Sequence, residues 1–198
     1  MTKNKIVFVT NNPHKIKEIK SAIDKQIDVI GLKDIGFDEP IEEPYETLEE
    51  NARAKSSVVW ERFGYDCFAD DTGLEVDALN GRPGVRSARY AGEDGNAEKN
   101  IQKLLKELEG IENRKARFRT VISLFLNGME YLFEGKAEGI ILQEKQGNDG
   151  FGYDPVFQPD GYDISFAEMP LSEKNKISHR GKAVEKLIDF LSDNLNNK

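Results

Sequence analysis

Hydrophobic and polar positions follow two periods along this chain, one typical of strands and the other typical of helices. The segment KIVFVT at 5–10 is apolar and rich in β-branched residues, which predicts a buried strand. After it, Ile16, Ile19 and Ile23 recur at helical spacing, and Pro13 suits the first turn of that helix. The predicted strands cover 5–10, 27–32, 67–69, 115–126 and 129–142, and the predicted helices cover 14–23, 48–63, 97–108 and 182–195.

The order of these elements predicts an α/β protein with a mixed sheet. Strands and helices alternate in the first half of the chain, whereas Asn127-Gly128 between two long strands is a strong hairpin signal. The segments 34–47, 80–95 and 147–152 are rich in acidic residues, Pro or Gly and are predicted to be loops and turns. No repeat or linker divides the sequence, so we expect residues 1–198 to form a single domain with two lobes.

Composition and charge restrict the classes of function. The chain has 198 residues, of which 38% are hydrophobic and 32% charged, as in soluble globular domains. Its apolar runs are too short to cross a bilayer, no signal-peptide pattern opens the sequence, and Cys67 is its one cysteine, so we expect a cytoplasmic protein without membrane contact. The net charge of −8 argues against nucleic-acid binding, although a local cluster of Lys and Arg can still bind an anion.

The adjacent carboxylates of Asp70 and Asp71 are the first candidate for chemistry. The apolar segment before them predicts a short strand that ends at the pair, because ionised carboxylates are costly near a core. Either the two aspartates lie on a solvated turn, or one of them holds a metal ion together with one of the acidic loop residues Glu39, Glu42 and Glu43. Carboxylates without His or Cys partners suit Mg²⁺ or Mn²⁺, and Mg²⁺ also takes substrate phosphates as ligands.

The segment TNNPHK at 10–15 lies between a predicted strand and a predicted helix. Backbone N–H groups at a helix N-terminus, with Lys15 nearby, can form an anion site. The glycines and the GK[ST] ending of a Walker loop are absent. The alternative is an ordinary capped turn followed by a surface lysine.

Two later segments carry side chains that could recognise a nucleobase. In GNDGFGYDPVF at 147–157, Phe151 and Tyr153 offer flat faces for stacking, and Asp154 offers a carboxylate acceptor. The alternative for this segment is a hairpin connection whose aromatic residues belong to the core. The segment SEKNKISHRG at 172–181 concentrates donors ahead of a predicted helix, namely Lys174, Lys176, His179 and Arg180. A structural histidine is the alternative there.

These segments, in this order, resemble the inosine triphosphate pyrophosphatase family, also described as XTP/dITP diphosphatases. The resemblance rests on TNNPHK at 10–15, ENARAK at 50–55, ADDTGLEVDALNGRPGVRSARYAGE at 69–93, FGYDPVF at 151–157 and EKNKISHRG at 173–181. It implies an elongated α/β fold of two lobes with the active site in the cleft between them, and a homodimer. It also implies Mg²⁺-dependent cleavage of nonstandard purine nucleoside triphosphates (ITP, dITP and XTP) between the α and β phosphates.

The resemblance assigns roles to individual residues as well. Asp71 matches the aspartate that serves as metal ligand and general base, with Asp70 as its acidic neighbour. Counting twelve positions back from Lys55 places the second metal ligand at Glu43, with Glu42 as the alternative. Thr10, Asn12 and Lys15 match the positions that hold the triphosphate, and Asn11 stands where the family often has a glycine. Thr72 matches a serine or threonine that contacts substrate, and the residues after 150 match positions that recognise the base. The full set is Thr10, Asn11, Asn12, His14, Lys15, Lys55, Thr72, Phe151, Gly152, Tyr153, Asp154, Lys174, His179 and Arg180.

Two other functions remain open from the sequence. One is a Mg²⁺-dependent pyrophosphatase of pyrimidine or modified nucleotides, as in the structurally related Maf-type group, although we find no equivalent of FGYDP and SHR in that group. The other is a protein that binds nucleotides without hydrolysing them, which would not need Asp71 as a base.

Donors that meet the 6-keto oxygen of the base would discriminate against adenine, because buried donors without partners are costly. Rejection of GTP has to come from the 2-position of the base.

Overall fold

The computed structural model describes residues 4–23 and 27–195 of the chain. The outermost residues of the predicted domain, 1–3 and 196–198, and residues 24–26 lie outside the described residues. The strands are β1 Asn4–Phe8, β2 Ile27–Gly31, β3 Cys67–Val76, β4 Pro83–Gly84, β5 Lys115–Leu126, β6 Met129–Ile141 and β7 Phe157–Pro159. The helices are α1 Pro13–Ala22, α2 Leu48–Phe63, α3 Ala97–Glu107, α4 Leu171–Ile177 and α5 His179–Leu195.

The strands form a mixed sheet in the order β2-β1-β3-β5-β6-β7, with β4 paired to β3 off this path. Strand β1 pairs in parallel with both β2 and β3, whereas β3 with β4 and β6 with β7 are antiparallel pairs. The α/β class and the mixed sheet predicted from the sequence are therefore confirmed. No helix in the described ranges is both long and apolar enough to span a membrane.

Most predicted elements coincide with observed ones, and α2 and β5 have the predicted bounds. The prediction that a strand ends at Ala69 is wrong, because β3 continues through both aspartates to Val76. The last helix begins at His179 rather than at Lys182, and the short helix α4 precedes it. Both differences lie in segments that were singled out for their charged residues.

By its internal contacts the chain divides into two compact units, which we call unit 1 and unit 2. Unit 1 comprises the described residues up to Asp71, Thr120–Gly135 and those from Arg180 onward; unit 2 comprises Thr72–Arg119 and Lys136–His179. Strands β3, β5 and β6 contribute residues to both units.

Unit 1 has an apolar cluster on each face of its strands. Because successive side chains of a strand point to opposite faces, Ile6 and Phe8 of β1 belong to one cluster and Val7 to the other. The first cluster also contains apolar residues of α1 and α5, such as Ile19, Val184 and Leu187. The second contains Val59 of α2. Helices therefore cover both faces of these strands.

Unit 2 packs α3 and several aromatic rings into a third cluster, which includes Leu104, Phe118, Phe157 and Phe166. Its strands β3 and β4 approach closely at Gly73, where an added Cβ would lie 2.6 Å from the backbone oxygen of Gly84. Only glycine leaves room for that approach, because the obstructing atom belongs to backbone and cannot rotate away. The backbone directly after Asp71 is therefore held tightly in place.

Candidate active site

Asp70 and Asp71 lie inside strand β3, where neighbouring side chains point to opposite faces. Phe68, two residues before Asp70, belongs to the cluster that contains residues of α1 and α5. Ala69, two residues before Asp71, belongs to the cluster that contains a residue of α2. The two like charges are thus separated by the strand itself, and each is met by cations from the helices on its own face.

On the first face, Asp70 is almost fully buried at 1% exposure and is paired twice. Its Oδ1 lies 3.0 Å from the Lys15 Nζ, and its Oδ2 lies 3.1 Å from the Arg180 Nε. Burial alone would raise the pKa of Asp70, but Lys15 and Arg180 outweigh that effect and hold the pKa well below its usual range. Asp70 is therefore a permanently charged anchor that fixes the position of the Lys15 ammonium.

Glu18 completes this buried cluster and was not found from the sequence. It lies one turn after Lys15 in α1, and its carboxylate accepts a hydrogen bond from Arg180 Nη1. Glu18 and Arg180 are both buried. The resemblance implied that Arg180 recognises the base, but the geometry places its guanidinium between two carboxylates of unit 1 and favours a charge-balancing role.

On the second face, Lys55 of α2 bridges two carboxylates. Its Nζ lies 3.0 Å from the Asp71 Oδ1 and 2.9 Å from the Glu43 Oε1. Burial would lower the pKa of Lys55, but the charges of Asp71 and Glu43 outweigh it and raise that pKa. The pKa of Asp71 is raised, chiefly by burial and further by the charge of Glu43. A raised pKa makes a carboxylate a better proton acceptor near neutral pH.

The second oxygen of Asp71, Oδ2, is buried and has no hydrogen-bond partner among the described residues. Buried acceptors are normally satisfied, so an orphaned one indicates a ligand, a water or a metal ion. Asp71 is in this respect unlike Asp70, whose two carboxylate oxygens both receive donors.

The donor set on this face suits a magnesium ion. In the described part of the chain, no group of three or more His, Cys, Asp or Glu side chains could hold a metal by itself. Mg²⁺, however, is commonly bound by one or two carboxylates plus substrate phosphates. Asp71 and Glu43, held by the same lysine, provide two such carboxylates, whereas Glu42 is exposed. The geometry thus favours Glu43 over Glu42.

The turn before α1 arranges polar groups around the helix N-terminus. The Asn12 side chain caps α1, with its Oδ1 accepting from the backbone N–H of His14 at 2.9 Å and of Lys15 at 3.3 Å. Thr10 Oγ1 in turn accepts from the Asn12 N–H at 3.2 Å. Asn11 and the His14 side chain are exposed. The structure brings Thr10, Asn12 and Lys15 together, as an anion site at this turn requires.

In unit 2, the candidate base-recognition residues surround a buried ion pair. Lys174 Nζ lies 2.7 Å from the Asp154 Oδ2, and both side chains are 4% exposed. The same carboxylate oxygen accepts from the Phe151 N–H at 2.8 Å, across a turn in which Gly152 has φ +61°. The Lys174 ammonium also lies 5.2 Å from the centroid of the Phe151 ring. Asp154 thus fixes the loop and the lysine, and the base-acceptor role suggested for it by the sequence stays a prediction.

The aromatic side chains of this group differ in their surroundings. Phe151 is partly exposed, whereas Tyr153 is 4% exposed and donates its hydroxyl to the Ser87 carbonyl at 2.8 Å. His179 is buried and stacks on Phe118, with ring centroids 4.5 Å apart and an interplanar angle of 15°. The geometry therefore favours Phe151 for stacking and gives Tyr153 a place in the core. Thr72, directly after Asp71, is partly exposed.

Comparison with known proteins gives consistent similarities over nearly the whole chain. Residues 6–190 match the sequence model of the Ham1 family. A protein of Flavobacterium johnsoniae named dITP/XTP pyrophosphatase is 55% identical over 188 residues, which cover 95% of this chain and 98% of that protein. A protein of Christiangramia forsetii with the same name is 56% identical, covering 95% and 99%. The solved Ham1 protein of Staphylococcus aureus has a TM-score of 0.88 and 41% identity, covering 96% and 100%.

Proposed function

Because this chain belongs to the Ham1 family, we propose that it is a nucleoside triphosphate pyrophosphatase acting on dITP, ITP and XTP. The products are the nucleoside monophosphate and pyrophosphate. The observation that carries this proposal is the buried Asp71 carboxylate, with one oxygen on Lys55 and the other without a partner among the described residues. The family match gives no support to the Maf-type alternative, and a protein that only binds nucleotides would gain nothing from such a carboxylate.

In the proposed reaction, Asp71 accepts a proton from water as the water oxygen bonds to the α-phosphorus. The bond from the α-phosphorus to the bridging oxygen breaks, and pyrophosphate leaves with the electron pair. Lys15 and Lys55 offset the negative charge of the phosphates, since phosphoryl transfer depends mainly on positioning and charge neutralisation. Glu43 and Asp71 are the residues that would hold Mg²⁺ or Mn²⁺, which would supply further positive charge to neutralise the phosphates.

Base selection is assigned in this proposal to residues of unit 2. The partly exposed ring of Phe151 offers a stacking face, and the Lys174 ammonium beside it is a donor of the kind that a 6-keto oxygen accepts. Adenine carries an amino group at that position and would leave the donor unpaired. Two residues contribute to base selection indirectly. Asp154 holds Lys174 in place through an ion pair, and Phe118 holds His179 in place by stacking.

The substrate is tested by measuring pyrophosphate release from dITP, ITP, XTP, GTP, ATP and dUTP, each with Mg²⁺ and with EDTA. We expect the first three to be hydrolysed at least about 100-fold faster, in kcat/KM, than ATP, since a hydrogen-bonding site rejects an analogue without the matching group strongly. EDTA should remove the activity, and added Mg²⁺ or Mn²⁺ should restore it. Faster hydrolysis of dUTP than of ITP would contradict the purine assignment.

The choice of metal ligand is tested with neighbouring glutamates. Glu43→Gln should raise the half-saturating Mg²⁺ concentration by about 10-fold or more, because a carboxylate ligand is replaced by a neutral amide. Glu42→Gln is the matched control and should leave that concentration unchanged, since Glu42 is exposed. Magnesium titrations of pyrophosphate release from ITP measure both. A larger effect at Glu42 would show that the loop presents the other carboxylate.

We also propose that the enzyme acts on free nucleotides in the cytoplasm, as a homodimer, and without nucleic-acid or membrane partners. The net charge of −8 supports the exclusion of nucleic acid. The resemblance to the pyrophosphatase family supports the homodimer. Light scattering coupled to size-exclusion chromatography measures the mass of the assembly in solution.

A further inference from the structure

The proposed metal ligand Glu43 lies on a segment that has little structure of its own. Residues 39–46 form neither helix nor strand, and Glu43 itself is 34% exposed. A carboxylate on such a segment binds a metal well only if other contacts fix the backbone of the segment. Without them, metal binding would have to order the segment and would lose its conformational entropy. Two residues after Glu43, the backbone of Tyr45 is fixed by a buried side chain.

Asn51 holds this segment through both ends of its amide. Its Nδ2 donates to the Tyr45 carbonyl at 3.0 Å, and its Oδ1 accepts from the Tyr45 N–H at 3.0 Å. The Asn51 side chain is buried at 2% exposure, so its end of both hydrogen bonds is shielded from water. Tyr45 follows Glu43 by two residues, so the pairing fixes the backbone immediately after the carboxylate.

Asn51 and Lys55 act on the same segment from the same face of α2. They are four residues apart in the helix and therefore lie one turn above each other. Lys55 binds the Glu43 carboxylate, and Asn51 binds the backbone behind it. The ENARAK segment thus contributes two contacts to the Glu43 segment, of which sequence comparison brought out only the lysine.

We infer that Asn51 is a positioning residue that holds Glu43 in place for the metal ion of this site. The inference rests on the proposed function where it concerns the metal, but the clamp on Tyr45 is a property of the fold. Residues that orient a metal ligand typically affect metal affinity by 10–100-fold when they are removed. Because Asn51 acts through backbone rather than on the carboxylate itself, we expect the lower end, about 10-fold.

The chain offers a closely matched control at Asn100. This asparagine, in α3 of unit 2, is also buried, and its amide also binds backbone through both ends. Its Nδ2 donates to the Ala88 carbonyl at 2.9 Å, and its Oδ1 accepts from the Ala91 N–H at 2.7 Å. Asn51→Ala and Asn100→Ala therefore remove equivalent hydrogen bonds. A merely structural effect of losing such a clamp should appear equally in both variants.

Three measurements test the inference. Hydrogen exchange of the metal-free protein should accelerate in the peptide containing Tyr45 for Asn51→Ala and in the peptide containing Ala91 for Asn100→Ala. Titration of Mn²⁺ alone, followed by electron paramagnetic resonance, should show about 10-fold weaker binding only for Asn51→Ala. The half-saturating Mg²⁺ concentration for pyrophosphate release should rise by a similar factor, with kcat at saturating Mg²⁺ largely retained.

Equal Mn²⁺ affinities of the two alanine variants, or a fall in kcat alone, would overturn the inference. If Asn51→Ala does not fold, Asn51→Asp keeps the acceptor for the Tyr45 N–H and loses the donor to its carbonyl, and the same exchange and Mn²⁺ measurements apply. A wild-type protein that binds Mn²⁺ but releases no pyrophosphate would contradict the proposed function and leave the positioning of Glu43 measurable. The two failures are therefore distinguishable.

Discussion

Replacing Asp71 by asparagine is expected to lower kcat for pyrophosphate release from ITP by about 10³-fold while leaving the fold intact. The amide keeps the shape of the side chain but cannot accept a proton from water, and it is a poorer metal ligand than a carboxylate. Lys55 keeps Glu43 as a partner in this variant, so no buried cation is left unpaired. Steady-state kinetics at saturating Mg²⁺ measures the loss, and circular dichroism checks the fold.

The neighbouring Asp70→Asn variant is the control for this prediction. Asp70 is bonded to Lys15 and Arg180 through both of its carboxylate oxygens, whereas Asp71 Oδ2 has no hydrogen-bond partner among the described residues. We therefore expect Asp70→Asn to lower the free energy of unfolding and to retain more activity than Asp71→Asn at a temperature where it is folded. Equal loss of activity in both variants, or a wild-type rate in Asp71→Asn, would contradict the assignment of Asp71 as the base.

The position of Asp70 and Asp71 inside β3 shows which features of the fold the sequence predicts and which it does not. Local periodicity was enough to predict α2 and β5 with their observed bounds. It placed the end of β3 too early because two carboxylates beside an apolar run are costly unless cations offset them. The cations are Lys15, Lys55 and Arg180, and two of them are 55 and 110 residues away from Asp70 in the chain. Nothing in the local pattern carries that information.

The sequence predicted which residues belong to the candidate site better than it predicted the contacts that these residues make. The resemblance to the pyrophosphatase family indicated Lys15, Lys55 and Asp71, which the structure places together in unit 1. Whether an aromatic ring is buried or partly exposed depends on tertiary packing, so the sequence could not distinguish Tyr153 from Phe151. Glu18 had a weak signal, since it lies one helical turn after Lys15.

Asn51 also had a signal in the sequence, since it lies one helical turn before Lys55. The spacing places both residues on one face of α2 but does not show what the asparagine holds. Its partner is the backbone of Tyr45. A hydrogen bond to a backbone carbonyl does not require a particular residue type at position 45, so the sequence does not reveal it. Contacts of this kind become visible only in the folded chain.

Replacing Arg180 by methionine is expected to lower the free energy of unfolding by about 3–5 kcal/mol. Methionine fills a similar volume but leaves Glu18 without this buried partner and Asp70 with one cation fewer. An uncompensated charge in a buried site is costly because its hydration is lost without replacement. For a domain of this size the midpoint of thermal unfolding should fall by roughly 10 °C. Urea denaturation at neutral pH measures the free energy directly.

Two further variants separate this effect from a general loss of ion pairs. Arg53→Met removes the exposed pair with Glu130 and should cost less than about 1 kcal/mol, because solvent screens such pairs. Combining Glu18→Gln with Arg180→Met should recover part of the stability lost in Arg180→Met, since Glu18 is then no longer an uncompensated charge. If Arg180→Met lowered the free energy of unfolding no more than Arg53→Met, the charge-balancing role of Arg180 would be wrong. A direct contact of Arg180 with the nucleotide would then explain better why it lies beside His179 in the sequence.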